Sequence, residues 1–211
     1  APAGLRLSAF DGGNLRNEIP REAKAWVAVK NANRFQKLLK AAAKELGTEF
    51  QTVEPGLDIS ATEAPLPGKV MRKNEQAKFL QAVRAVHNGV FRMSPDIPGL
   101  VEASSNLAKI SLRDGHLKIG SLQRSSVESS KADVAAAFRA PFDLIGAEVE
   151  LANAYPGWQP NPKSKLVQKM SGIYQKMFGH APVIEACHAG LECGIIGESY
   201  PCVDMVSFGP L

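Results

Sequence analysis

The densest group of side chains able to do chemistry lies late in the sequence, in Glu185-Ala186-Cys187-His188-Ala189-Gly190-Leu191-Glu192-Cys193-Gly194, with Cys202 close behind. Thiolate and imidazole are ordinary zinc ligands, so Cys187, His188, Cys193 and Cys202 have the right donor chemistry for a tetrahedral ion. Their spacing argues against it. There is no Cys-x-x-Cys knuckle, adjacent Cys187 and His188 would project to opposite faces of a strand, and a buried structural cysteine is the commoner role. The same segment also reads as a strand-to-helix turn. There Gly190 lets a ligand approach the backbone, and free amides at the helix start meet a carboxylate or oxyanion. A glycine needed only for turn geometry fits these residues equally well. Glu192, on the first helical turn, is accounted for by the helix dipole.

Two other places carry suitable groups. Gly12-Gly13-Asn14-Leu15-Arg16-Asn17-Glu18-Ile19-Pro20-Arg21-Glu22 is a polar, glycine-rich stretch offering amide and guanidinium groups. A solvated connection between strands is its simpler reading. Arg124 ends a β-prone run, where a rigid base would let its guanidinium fork onto a carboxylate, although a lone arginine at such a place is commonly just solvated. The basic residues Lys163, Lys165, Lys169 and Lys176 are balanced by Glu185, Glu192, Glu198 and Asp204 and read as a solvated face. No zinc-protease helix motif, nucleophile elbow, phosphate loop or dinucleotide fingerprint is present. These residues alone name no reaction.

The elements between these groups must position them. Leu5 to Ala9 alternates, Gly12-Gly13 interrupts, and Lys24 to Val29 is a second β-prone run, which predicts two strands joined by a long polar loop. Phe35, Leu38, Leu39, Ala42 and Leu46 follow helical spacing, with Asn31 as cap and Gly47 as the expected end. Leu57 to Glu63 reads as a strand and Asn74 to His87 as a helix. Gly89 to Asn106 reads as irregular. Leu107 to Arg113 and His116 to Arg124 flank Asp114-Gly115, a strong hairpin signal. Ser125 to Phe142 follows as a helix that Pro141 is expected to kink or end, then Ala147 to Asn153 as a strand. This order predicts an α+β fold, an antiparallel sheet with helices on one face, over residues 1–154. Tyr155 to Pro162 holds three prolines in eight residues and marks a boundary. Beyond it, Asn161 is the expected cap of a helix ending at Gly179. Pro182 to Ala186 and Val203 to Phe208 read as strands around a short helix from Ala189 to Gly197. That is a small α/β piece over residues 155–211, too short to be comfortable alone.

Composition narrows the class. With 211 residues, 45% hydrophobic and 22% charged, the chain is long enough to bury a real core. Its apolar stretches fall far short of the roughly 20 residues a membrane span requires, so no membrane partner is expected. The 25 basic and 21 acidic side chains are interleaved, giving a net charge of only +4. Without a basic stripe or an aromatic-rich strand motif, no nucleic-acid partner is expected either. Three cysteines gathered in the last 25 residues are unlike a secreted disulfide framework and suit a reducing cytoplasm. The chain opens Ala1-Pro2-Ala3 without methionine and stops just after a strand-like run, so both ends read as cuts.

Five motifs in order carry more than their physics: Gly12 to Glu22, Ser104-Ser105-Asn106-Leu107, Tyr155-Pro156-Gly157-Trp158, His188-Ala189-Gly190-Leu191-Glu192-Cys193-Gly194, and Asp204-Met205-Val206-Ser207-Phe208-Gly209-Pro210. Together they resemble the aminoacyl-histidine dipeptidases, also called cytosol non-specific dipeptidases, which are carnosinase-like metallopeptidases with a di-zinc site. The resemblance spans essentially the whole chain. It implies that residues 1–154 are most of a lid domain that also dimerises, and that residues 155–211 are part of the catalytic domain. It implies substrate-binding roles for Asn17, Arg124 and Gly190, and a parent enzyme that uses two zinc ions to hydrolyse dipeptides, including Xaa-His substrates such as β-alanyl-histidine. The family's metal ligands, catalytic base and assisting lid histidine have no counterpart in this chain. The chain alone is therefore expected to hold no catalytic metal and to be inactive. A non-catalytic lid-like binding or dimerisation module is the alternative.

Overall fold

The computed structural model describes residues 2–188 and 191–209. The chain is mixed α+β, and its five strands form a sheet in the order β2-β1-β4-β3, with β5 pairing β4. Two compact units divide it, Ala1–Gln81 with Ala108–Gly120, and Ala82–Leu107 with Ser121–Leu211.

In the first unit, β1 (Arg6–Gly12) and β2 (Ala23–Ala28) are antiparallel, with Arg6 opposite Ala28 and Gly12 opposite Ala23. The polar loop between them closes on itself through the Gly13 N–H, which donates to the Glu22 carbonyl at 3.2 Å. Gly13 has φ +77°, and a Cβ there would stand 1.8 Å from the Ala108 carbonyl oxygen, so only glycine fits. Helix α1 (Ala32–Glu49) starts where expected, the Asn31 side chain accepting from the Arg34 N–H at 2.8 Å. It does not stop at Gly47. The Phe50 N–H still reaches the Leu46 carbonyl at 2.9 Å, because glycine permits a helix end but does not impose one. Leu7, Phe79, Ala108 and Leu112 are buried in this unit. The buried Gln76 at the start of α2 (Lys73–Ala85) accepts from the Leu7 N–H at 2.8 Å.

In the second unit, β3 (Gly89–Met93) pairs antiparallel with the first half of β4 (Val101–Arg113). The stretch 89–106, expected to be irregular, thus holds two strands. Its proline-bearing turn is confined to residues 94–100. The β4–β5 hairpin forms as expected before β5 (His116–Ser125), with Asp114 at φ 51° and Gly115 at φ 82°, the doubly positive geometry of a two-residue turn. Helix α3 (Glu128–Leu144) passes through Pro141 instead of ending there. Proline removes a hydrogen bond only near the helix end, and the buried rings of Phe138 and Phe142, 5.5 Å apart and tilted by 41°, hold the last turn. Helix α4 (Lys165–Phe178) is capped by Ser164 rather than Asn161. The buried Ser164 hydroxyl accepts from the Val167 N–H at 3.0 Å and donates to Asp204 at 2.8 Å, a pairing distant in sequence. Gly179 ends α4 in the left-handed conformation, as expected. Helix α5 (Leu191–Ser199) follows.

Four expected strands, 57–63, 147–153, 182–186 and 203–208, join no ladder among the described residues. The α/β pattern expected over 155–211 is therefore met only in its helices. Alternation makes a segment fit for a sheet, but a strand also needs a neighbour whose amides and carbonyls face it.

Leu112, 1% exposed, faces the centre of the first unit. Leu112→Ala should lower unfolding free energy by about 2–5 kcal/mol through lost transfer energy and the cavity left behind. Urea denaturation checks this, with the midpoint moving and the slope unchanged.

Candidate functional site

The first half of β4, the end of β5 and the chain just before α5 meet in the second unit. They bring Ser104, Arg124 and His188 together. The Ser104 hydroxyl and His188 Nε2 are 2.8 Å apart, and both side chains are half-buried. Burial, and secondarily the positive charge of Arg124, hold the His188 ring below its ordinary pKa of 6.5. It is therefore neutral at pH 7 and exchanges a single hydrogen bond with Ser104. It accepts the hydroxyl proton when Nδ1 carries the ring hydrogen and donates when Nε2 does.

Arg124 is the unusual member. Its Nε is buried and has no hydrogen-bond partner among the described residues. A buried N–H left unpaired costs about 1–3 kcal/mol, and a carboxylate lying in the plane of the guanidinium would accept it as one tine of a fork. The strand carrying Arg124 is anchored on both sides. Gln123 donates to the Ser105 hydroxyl at 3.3 Å, and the Ser126 N–H donates to the Glu102 carbonyl at 3.3 Å. The buried Glu102 carboxylate accepts from Ser130 at 2.8 Å and pairs with Arg92 at 3.6 Å.

Of the residues singled out from the sequence, Arg124 stands in this constellation. Asn17 lies on the exposed turn after Gly13 in the first unit, where the Glu18 N–H donates to the Leu15 carbonyl at 3.2 Å. Gly190 lies outside the described residues. The three cysteines are free thiols; Cys187 and Cys202 are exposed and Cys193 half-buried, which corrects the expectation of buried structural cysteines. Among the described residues, no three His, Cys, Asp or Glu side chains are grouped closely enough to hold a metal ion. No described helix is long and apolar enough to cross a membrane. Sequence reasoning weighed His188 only as a zinc ligand and passed over Ser104 as a site residue. A serine on a stretch read as irregular gave no periodic signal of a strand. An open groove of about 2340 Å³ runs past α4, but Ser104, Arg124 and His188 do not line it.

The His188 ring should titrate below 6.5 in side-chain NMR, and Arg124→Met should move it partway back, since burial remains. The folded chain binds fewer protons here than the unfolded chain, so stability is lost as pH falls below about 6.5. His188→Gln should flatten that part of the stability–pH curve in urea melts.

No family model matches the chain. It is 36% identical over 208 residues to the cytosol non-specific dipeptidase of Escherichia coli (strain K12), a match covering 98% of this chain and 43% of that protein. The crystal structure of aminoacylhistidine dipeptidase from Vibrio alginolyticus superimposes with a TM-score of 0.92 at 37% identity, over 99% of this chain and 43% of that one. The chain thus spans about two-fifths of the length of either relative. Identity of this order along nearly its whole length, on a superimposable fold, makes the chain similar to a corresponding two-fifths of the cytosol non-specific, or aminoacyl-histidine, dipeptidases.

Proposed function

We propose that this chain is the part of a dipeptidase that grips the free carboxylate of its substrate. The observation carrying this reading is the buried, unpaired Nε–H of Arg124 on a fastened strand end, beside a neutral imidazole. A dipeptide presents a carboxylate within a few bonds of its scissile amide, so a planar guanidinium fork selects dipeptides over longer or amidated chains. A neutral His188 adds polarity without competing as a second cation. The family resemblance adds Asn17 and Gly190 as further substrate-binding residues of the complete enzyme. Xaa-His dipeptides such as β-alanyl-histidine are among the substrates.

Hydrolysis in the complete enzyme would draw on two zinc ions, which polarise the amide and activate water when bound. The described residues include no ligand set that fits them; in this reading the role of the chain is to bind and orient. Residues 1–154 serve as lid and homodimer contact, and residues 155–211 as a piece of the catalytic domain, in a cytoplasmic enzyme. The exposure of Ile173, Met177, Val183, Ile184 and Phe208 supports the second assignment, because an apolar surface of this kind suits a larger packed body.

In the full-length dipeptidase, Arg124→Ala should lower kcat/KM for dipeptides about ten- to hundredfold, the worth of one or two charge-assisted hydrogen bonds. Dipeptide amides should be affected little. Unchanged dipeptide kinetics would remove the assignment. The purified 211-residue chain should take up no stoichiometric zinc and turn over no dipeptide after zinc addition. Stoichiometric zinc with turnover would instead put the catalytic ligands within the chain.

A further inference from the structure

Tyr155-Pro156-Gly157-Trp158 crosses the second unit between two backbones. On one side lie the carbonyls of Ser125 and Ser126, immediately after Arg124. A Cβ at Gly157 would stand 2.7 Å from the first and 2.8 Å from the second. On the other side lies Gly194 of α5, where a Cβ would stand 2.6 Å from the Pro156 carbonyl oxygen. Both contacts are with main chain, which cannot swing aside as a flexible side chain can. The crossing therefore works as a spacer of defined thickness between the strand end that carries Arg124 and the helix that begins three residues after His188.

Something must keep the spacer seated, and the first turn of α3 does so. One oxygen of Glu128 accepts from the Gly157 N–H at 2.6 Å and from Lys131 Nζ at 2.8 Å. Lys131 also donates to the Tyr155 carbonyl at 2.6 Å. Two groups one helical turn apart thus grip the crossing by both its donor and its acceptor. The Gly157 amide first, and Lys131 second, hold the Glu128 carboxyl below its ordinary pKa, so the acceptor is charged at neutral pH. Glu128 is exposed, and as an ion pair with Lys131 it contributes little to stability. Its value is geometric.

We propose that Glu128 is a positioning residue for the carboxylate clamp: by seating Pro156-Gly157 between the end of β5 and α5, it sets the spacing of Arg124 from the His188 segment. This rests on the carboxylate reading above. A displaced guanidinium still binds an anion, but not one whose scissile amide is presented correctly.

The test uses the full-length dipeptidase for kinetics and the 211-residue chain for NMR. Glu128→Gln keeps an acceptor for Gly157, Glu128→Leu removes it, and Gly194→Ala keeps the Glu128 side chain but presses a methyl group against the Pro156 carbonyl of the crossing. Glu128→Leu and Gly194→Ala should each lower kcat/KM for dipeptides about tenfold, mainly through kcat, and reduce the preference for dipeptide over dipeptide amide in proportion. In the chain, both should shift the His188 titration towards 6.5. Glu128→Gln should stay within about twofold of the parent. If Glu128→Leu is too unstable to assay, Gly194→Ala carries the test. Unchanged dipeptide preference and His188 titration in these variants, with Arg124→Ala still impaired, would overturn this proposal and leave the carboxylate reading standing. A silent Arg124→Ala would overturn both.

Discussion

Backbone pairing along β4 is the constraint from which the rest of the fold follows. Its first half ladders with β3, its second half with β1, and β5 returns along it after a two-residue turn. Glu102, Ala103, Ser105, Ala108 and Leu112 are all buried along this one strand. Most of them are small or polar. A strand with neighbours this close has little room for bulk, and its polar members are tolerated because each finds a partner, as Glu102 does in Ser130 and Arg92. Ser104 and Arg124 inherit their positions from this ladder.

The site departs from the economy of the core in one respect. Among the described residues of the second unit, Arg124 Nε is the buried side-chain polar atom left without a hydrogen-bond partner. A strong donor left unpaired next to a half-buried imidazole costs stability, and the carboxylate proposed above would satisfy it; Arg6 Nε in the first unit is buried and unpaired in the same way. Nearby, the structure is conservative, with glycines at the two closest backbone approaches and a charged clip over the crossing between them.

Elements with strong local signals were legible in the sequence. Asn31 as a cap, Asp114-Gly115 as a turn with two positive φ angles, and Gly179 as a left-handed stop each depend on one or two residues and their immediate neighbours. Predictions failed where partners lie far along the chain. Ser164 displaced Asn161 as the cap of α4 because Asp204, forty residues on, fastens its hydroxyl. Helix α3 runs on to Leu144, two residues past its expected last residue, where the buried Phe138 and Phe142 flank Pro141. Four segments that read as strands join no ladder among the described residues.

Sequence alone determined the chemical types available and the family resemblance through five ordered motifs, the resemblance being what singled out Arg124, because residue identity and order carry that information directly. Only the tertiary structure decided that Arg124 shares its surroundings with His188 and Ser104, that the cysteines lie at half-buried or exposed places, and that Glu128 reaches Gly157. These depend on contacts between segments tens of residues apart, set by strand pairing and close backbone packing that no local pattern of residue types encodes.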